Sequence, residues 1–138
     1  MYPEEIVKPM KEDLTSVGFT QLVTADEVDQ TINSGQEETT LVVVNSVCGC
    51  AAGNARPGVK ASVQHSKTPT KLTTVFAGVD REAVEQARKY MLPYPPSSPS
   101  IALFKNGKLV HMIERHHIEG NTADFIAENL KAAYDEFC

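Results

Sequence analysis

Residues Leu41-Val42-Val43-Val44 form an unbroken aliphatic run closed by Asn45, and the run leads directly into Ser46, Val47 and a Cys48-Gly49-Cys50 triplet. A strand without alternation of apolar and polar residues is covered on both faces, the situation of an inner strand in a parallel sheet. The chain has 138 residues in which to supply those covers, a length that implies one domain spanning 1–138. At this size roughly 70% of the unfolded surface is buried without disulfide or metal staples, so the cysteines are free for chemistry. Three cysteines, two of them a single residue apart, do not make the framework of a disulfide-stapled secreted protein, and a reducing cytoplasm is the expected home. The formal net charge of -5 argues against a surface that tracks nucleic-acid phosphates. The opening Met1-Tyr2-Pro3-Glu4-Glu5 is acidic and leads into no apolar segment, so neither a secretory leader nor a membrane span is expected.

Helical and strand periods alternate along the rest of the chain. Ile6, Val7, Met10, Leu14 and Val17 recur at steps of three and four, which predicts an amphipathic helix over 3–16, with a kink or late start at Pro9. Gly18 ends it, 19–23 is a short strand, and Thr24-Ala25-Asp26-Glu27 opens a helix with a capping box that Ser34-Gly35 closes. After the cysteines, Ala51, Ala55, Val59 and Val63 repeat every four residues, a helix that Gly53, Pro57 and Gly58 should bend. A strand over 71–79 follows, with Asp80 as the cap of a helix through Ala83, Val84, Ala87 and Met91.

Pro93-Tyr94-Pro95-Pro96-Ser97-Ser98-Pro99-Ser100 excludes regular structure, and because only 38 residues follow, it is a functional loop rather than an interdomain linker. Strands over 101–104 and 109–113 flank Asn106-Gly107, a pair that accepts the positive φ of a type I′ hairpin turn. Asn121 or Thr122 caps a last helix through Phe125, Ile126, Leu130, Ala133 and Phe137. Helical crossovers make the early strands parallel, and the hairpin is antiparallel. The fold class is therefore α/β, a central mixed sheet flanked by helices on the plan of the thioredoxin fold, with an N-terminal helical extension.

Cysteines between the end of a buried strand and the start of a helix meet unpaired backbone N–H groups and the positive end of the helix dipole. That setting lowers a thiol pKa from about 8.5 toward roughly 3.5–7.5 and favours the thiolate, the form that attacks disulfides. Cys48, nearer the strand, is the expected nucleophile, and Cys50, inside the first turn, the resolving thiol. A bridge between residues two apart needs the bend that Gly49 permits and should be strained. Such a pair is a poor strong reductant and a better acceptor, isomerase or remover of a small thiol from a mixed disulfide.

Ser98-Pro99-Ser100 followed by Ile101 to Gly107 resembles the thioredoxin segment in which a cis-proline precedes the hairpin strand and faces the active cysteines. The resemblance implies that Ser98 and Pro99 bind substrate, the Ser98 backbone pairing with an extended chain beside Cys48. Val44 to Gly53, Ala55-Arg56-Pro57, Ser97 to Ser100, Arg115-His116, Ile118-Glu119-Gly120 and Cys138 together resemble the bacilliredoxins nearly end to end. That likeness implies a thioredoxin-like cytoplasmic protein that removes bacillithiol from protein mixed disulfides. Cys48 would attack and carry bacillithiol away, and Cys50 or a second bacillithiol would release it. It implies no tightly bound cofactor, bacillithiol as low-molecular-weight co-substrate, and bacillithiolated or disulfide-containing proteins as partners. Disulfide isomerase or weak reductase activity is also attributed to relatives. The motif departs from ordinary thioredoxins in having one residue rather than two between the cysteines, and no Trp before them.

Cys48, Cys50, Cys138 and one of His111, His116 or His117 make a formal Cys₃His zinc set, but the cysteine spacing is short and no second tight ligand pair exists, so no metal is expected. A thioredoxin-fold module that binds a metal or a partner through its cysteines is the reading outside catalysis. Arg115, His116 and His117 form a solvated cluster at a strand end, and His65 lies on an exposed helix face. Arg56 could hold the Cys48 thiolate or a bacillithiol carboxylate, although a salt bridge with a surface acid is its expected use. Cys138 is a spare thiol or an intermolecular bridge point, and Glu37-Glu38 and Asp135-Glu136 are solvated surface.

Overall fold

In the computed structural model, which describes residues 2–33 and 37–138, the aliphatic run is the middle of strand β2 (Thr39–Asn45), all seven residues of which are buried. With β1 (Thr20–Gln21), β3 (Lys71–Phe76), β4 (Ser100–Lys105) and β5 (Lys108–Ile113) it forms a five-stranded sheet in the order β1-β3-β2-β4-β5. β3 runs parallel to β1 and β2, while β4 is antiparallel to β2 and β5.

Successive residues of β2 point into two separate cores, as the period of a strand requires. Leu41 and Val43 join Ile101 and Leu103 beneath Leu14 of α1 (Glu4–Thr15), Val59 of α3 (Arg56–Ser62), and Ile126, Leu130 and Tyr134 of α6 (Ala123–Phe137). Val42 and Val44 join Val75, Ala102 and Phe104 beneath Val28 and Ile32 of α2 (Ala25–Ile32) and Ala83, Val84 and Ala87 of α4 (Arg81–Tyr90). Burial of one such side chain contributes roughly 1.5–3 kcal/mol, which makes this strand the anchor of both layers. A further short helix, α5 (Arg115–Ile118), follows β5. No helix among the described residues is long and apolar enough to cross a membrane.

Local chemistry explains most boundaries. Thr24 Oγ1 accepts the Glu27 N–H at 3.1 Å while Glu27 accepts the Thr24 N–H at 3.0 Å, the reciprocal cap expected for α2. The Ser34-Gly35 closure lies outside the described residues. Asn106 and Gly107 adopt φ of 54° and 77° at the hairpin turn, and Thr122 caps α6 by accepting the Phe125 N–H at 3.1 Å. Pro9 lies inside α1 without ending it.

Other boundaries differ from expectation. β1 keeps only two residues, Thr20 and Gln21, paired to β3 at one edge of the sheet. β3 stops at Phe76, and Gly78, with φ of 84°, makes the turn that follows. Asp80 precedes α4 but caps nothing with its side chain, because its carboxylate already accepts Gln21 Nε2 at 2.8 Å and Lys11 Nζ at 3.3 Å. Phe125 is half exposed, on the outer side of α6. The helix after the cysteines is interrupted at Ala51–Ala55 by a π turn, marked by a bond from the Arg56 N–H to the Ala51 carbonyl; Pro57 falls in the first turn of α3, where a missing N–H is harmless.

Gly58 is where α3 meets α6. A methyl there would lie 2.8 Å from Ile126 Cβ and 2.9 Å from the Ala123 carbonyl oxygen, and the backbone oxygen cannot step aside. Helix propensity alone favours alanine by about 1 kcal/mol, whereas overpacking costs about 1–3 kcal/mol. Gly58→Ala is therefore expected to lower stability by up to about 2 kcal/mol, read as a reduced urea midpoint with an unchanged slope; a raised midpoint would contradict this packing.

Candidate active site

β2 ends in a polar seam that fixes what comes after it. Asn45 Oδ1 accepts the Ser46 N–H and Arg56 Nη1, both at 2.9 Å, and Asn45 Nδ2 donates to the Met10 carbonyl at 3.1 Å. Arg56 is 5% exposed; it also donates to the Ser46 carbonyl at 3.0 Å and pairs through Nε with Asp13 of α1 at 3.2 Å. The salt bridge expected of Arg56 is present, and its donors fasten the strand end rather than a thiolate.

Cys48 and Cys50 are half-buried free thiols whose Sγ atoms lie 2.7 Å apart. The Cys50 N–H points at Cys48 Sγ at 3.4 Å, and the Ala51 N–H bonds the Cys48 carbonyl at 3.0 Å, so Cys48 stands just before the first helical turn. Cys50 turns inward and packs against the core that contains Val59 and Ile126, whereas Cys48 faces an open cleft. The hydrogen bond from the Cys50 thiol, with the Cys50 N–H, the Arg115 guanidinium and the Ala51 N–H, holds Cys48 below the ordinary thiol pKa despite partial burial. Burial pushes Cys50 up, reinforced by its bond to Cys48 and by the negative charge there. The two thiols are thus pushed in opposite directions, Cys48 toward its thiolate and Cys50 toward keeping its proton.

Arg115 is the residue that reading the sequence misses. Its Nη2 lies 3.3 Å from Cys48 Sγ, its Nη1 donates to the Ser98 carbonyl at 3.0 Å, and its Nε is bonded to Glu119. The signal was available in the hairpin, because Ile101 pairs with Ile113 and a cation two positions beyond must return beside residues 98 and 99. Asn54, in the π turn, donates to the Ile118 carbonyl at 3.1 Å and to that of Asn121, which ties the cysteine-bearing turn to the helix that carries Arg115.

The Ser98–Pro99 peptide is cis, as is Leu92–Pro93. Ser98 lines the cleft with Cys48 and Arg115, but its carbonyl is already taken by Arg115; Pro99 is buried behind it. The cleft has a volume of about 220 Å³ and is walled on one side by Tyr2, whose ring stands over Gly78.

The remaining candidates fall elsewhere. Cys138 contacts Thr39, at the end of β2 opposite Asn45, so it does not converge with the other cysteines on a metal. His65 bonds Asp135 of α6 at 2.8 Å, and Asp135 is on the exposed surface as expected. Ligating atoms of Glu114, His116 and His117 lie within 4.8 Å of one another, but Glu114 and His117 cap α5 reciprocally, with His117 Nδ1 accepting the Glu114 N–H at 3.1 Å. The Nδ1 lone pair of His117 is thus already engaged by that N–H.

Among solved structures, mitochondrial thioredoxin 3 of Saccharomyces cerevisiae superposes with a TM-score of 0.59 at 17% identity, covering 90% of this chain and 98% of that one. The fold is that of thioredoxin, and the fold, the paired cysteines and the relatives that follow together mark a thiol–disulfide oxidoreductase. Residues 2–138 match the family described as Disulphide isomerase. A bacilliredoxin of Cytophaga hutchinsonii is 60% identical over 136 residues, 99% of each chain, and one of Koribacter versatilis is 51% identical over 138 residues, all of this chain and 94% of that one. The chain belongs to the bacilliredoxin family.

Removing the Arg115 cation withdraws a contact that favours the thiolate, so Arg115→Gln is expected to raise the Cys48 pKa. Iodoacetamide alkylation of Cys48, followed against pH by mass spectrometry, should then show its midpoint displaced upward and a slower rate at neutral pH; a superimposable profile would remove Arg115 from the thiolate's support.

Proposed function

We propose that the protein removes bacillithiol from protein mixed disulfides. The observation that carries this reading is the division of labour at Cys48 and Cys50, one thiol held toward its thiolate beside Arg115 and the other held protonated by burial. Bacilliredoxin relatives across nearly the whole chain support it. The Cys48 thiolate attacks the bacillithiol sulfur of the mixed disulfide; the Cys48–bacillithiol bond forms, the old disulfide breaks, and the protein leaves as a thiolate that takes a proton from water. Cys50 then gives up its proton and attacks Cys48 Sγ, releasing bacillithiol as a thiolate and leaving a Cys48–Cys50 disulfide. A second bacillithiol attacking the bound bacillithiol sulfur would instead restore the Cys48 thiolate and release bacillithiol disulfide. The reducing cytoplasm expected from cysteine usage would return the disulfide to thiols.

The family's description as Disulphide isomerase favours a second reading, exchange of disulfides within protein substrates by the same Cys48 thiolate. Intact-mass analysis of the wild type, Cys48→Ala and Cys50→Ala after each meets a bacillithiolated protein separates the two. Cys50→Ala is expected to gain one bacillithiol as the substrate is freed, and Cys48→Ala to do nothing. If Cys50→Ala gains no adduct and the wild type leaves the substrate modified, bacillithiol removal is excluded; Cys48-dependent refolding of a scrambled disulfide substrate would then establish the isomerase reading.

A further inference from the structure

We propose that Tyr2 is a specificity-determining residue of the disulfide exchange, its ring being the wall against which a protein substrate lays an apolar or aromatic side chain that neighbours the reacting cysteine. This rests on the reading that the Cys48 thiolate attacks a disulfide carried by a protein, which bacillithiol removal and disulfide isomerisation share. It extends that reading to the kind of polypeptide sequence the site accepts.

Tyr2 is distant from Cys48 along the chain, and α1 brings it to the cleft. The Met10 carbonyl accepts Asn45 Nδ2 at 3.1 Å, Asp13 pairs with Arg56 at 3.2 Å, and Lys11 Nζ reaches Asp80 at 3.3 Å. The helix is thus fastened both to the strand end that leads into Cys48 and to the residue that precedes α4. At its start the Pro3 carbonyl accepts the Ile6 and Val7 N–H groups at 3.1 and 3.3 Å, which leaves Tyr2 one residue from a fixed point. The ring rests on backbone, because a methyl at Gly78 would lie 2.8 Å from Tyr2 Cε2. Tyr2 nevertheless remains 44% exposed, beside the cleft that Cys48 faces.

The lining indicates what such a ring would meet. The cleft holds the attacking sulfur, so its occupant is the molecule that carries the disulfide. Tyr2 is the one aromatic among the described residues that line it, and Val47, Ala77 and Gly78 add uncharged surface. The guanidinium of Arg115 is engaged by Cys48, the Ser98 carbonyl and Glu119. A polypeptide supplies apolar side chains on either side of its cysteine, and a seated tyrosine ring offers them a broad face at little cost in rotamer entropy. One such contact is expected to change the rate about fivefold.

Two short peptides test the idea, each with a single cysteine joined by a disulfide to 2-mercaptoethanol and differing only in having phenylalanine or glycine on both sides of it. The reduced protein converts each to peptide thiol and 2-mercaptoethanol, its own pair giving up two electrons and becoming the Cys48–Cys50 disulfide. The second-order rate constant is read by chromatography of the released peptide. Intrinsic differences between the peptides cancel when the ratio of the two constants is compared among wild type, Tyr2→Ala and Tyr2→Phe. The phenylalanine-to-glycine ratio should be about fivefold higher in the wild type than in Tyr2→Ala, and Tyr2→Phe should keep it. Equal ratios in wild type and Tyr2→Ala, a ratio lost in Tyr2→Phe as well, or a Cys48 alkylation midpoint displaced by Tyr2→Ala would overturn the proposal. If the wild type frees neither peptide, the exchange itself fails and the proposal with it; ready release at equal ratios removes only the role of Tyr2. A Tyr2-dependent ratio in a protein whose Cys50→Ala variant gains no bacillithiol removes that thiol as co-substrate and leaves the selection of polypeptide.

Discussion

Both faces of β2 must be kept from water, and the rest of the molecule is arranged to meet that constraint. Its aliphatic residues need helices on each side, so neighbouring strands and crossovers have to build two cores back to back. At its last residue the demand changes character. Asn45 is 1% exposed and polar, and a buried amide must find partners or lose roughly 1–3 kcal/mol for each group left unpaired. Arg56, the Met10 carbonyl and the Ser46 N–H supply them, and that seam sets the position at which the chain emerges as Cys48.

From there the chemistry is governed by how much charge the site tolerates. Two thiolates 2.7 Å apart would repel strongly, so the second proton is retained once the first is lost, and the pair titrates jointly. Burial decides which sulfur keeps the proton, because Cys50 packs inward and Cys48 faces the cleft. Arg115 adds a cation beside Cys48. The backbone groups and the arginine act on the same sulfur, one set from the helix start and the other from α5, which follows β5.

Features with a short-range cause were legible in the sequence: the inner strand from its missing alternation, the α2 cap from Thr24 and Glu27, the hairpin from Asn106-Gly107, and the strand–helix placement of the cysteines. The misread features depend on partners distant along the chain. Asp80 looked like a cap because its carboxylate ligands, Lys11 and Gln21, are 69 and 59 residues away. The bond of His65 to Asp135, 70 residues away on an exposed face, was invisible for the same reason. Arg115 sat among two histidines and suggested a hydrated patch; its true neighbours, Ser98 and Cys48, become visible only when the hairpin is folded back onto the proline loop.

The π turn at Ala51–Ala55 sets the phase between the cysteines and the helix that follows them. Without the extra residue that this turn holds, every later side chain would be rotated by about 100° on a 3.6-residue helix, which would swing Val59 off the α6 interface and Arg56 away from Asn45. A π turn accommodates one residue more than an α turn, so the change of phase is completed within five residues. The sulfurs and the core interfaces are thus phased separately, because the turn that carries Asn54 stands between the cysteines on one side and the residues that hold Asn45 and α6 on the other.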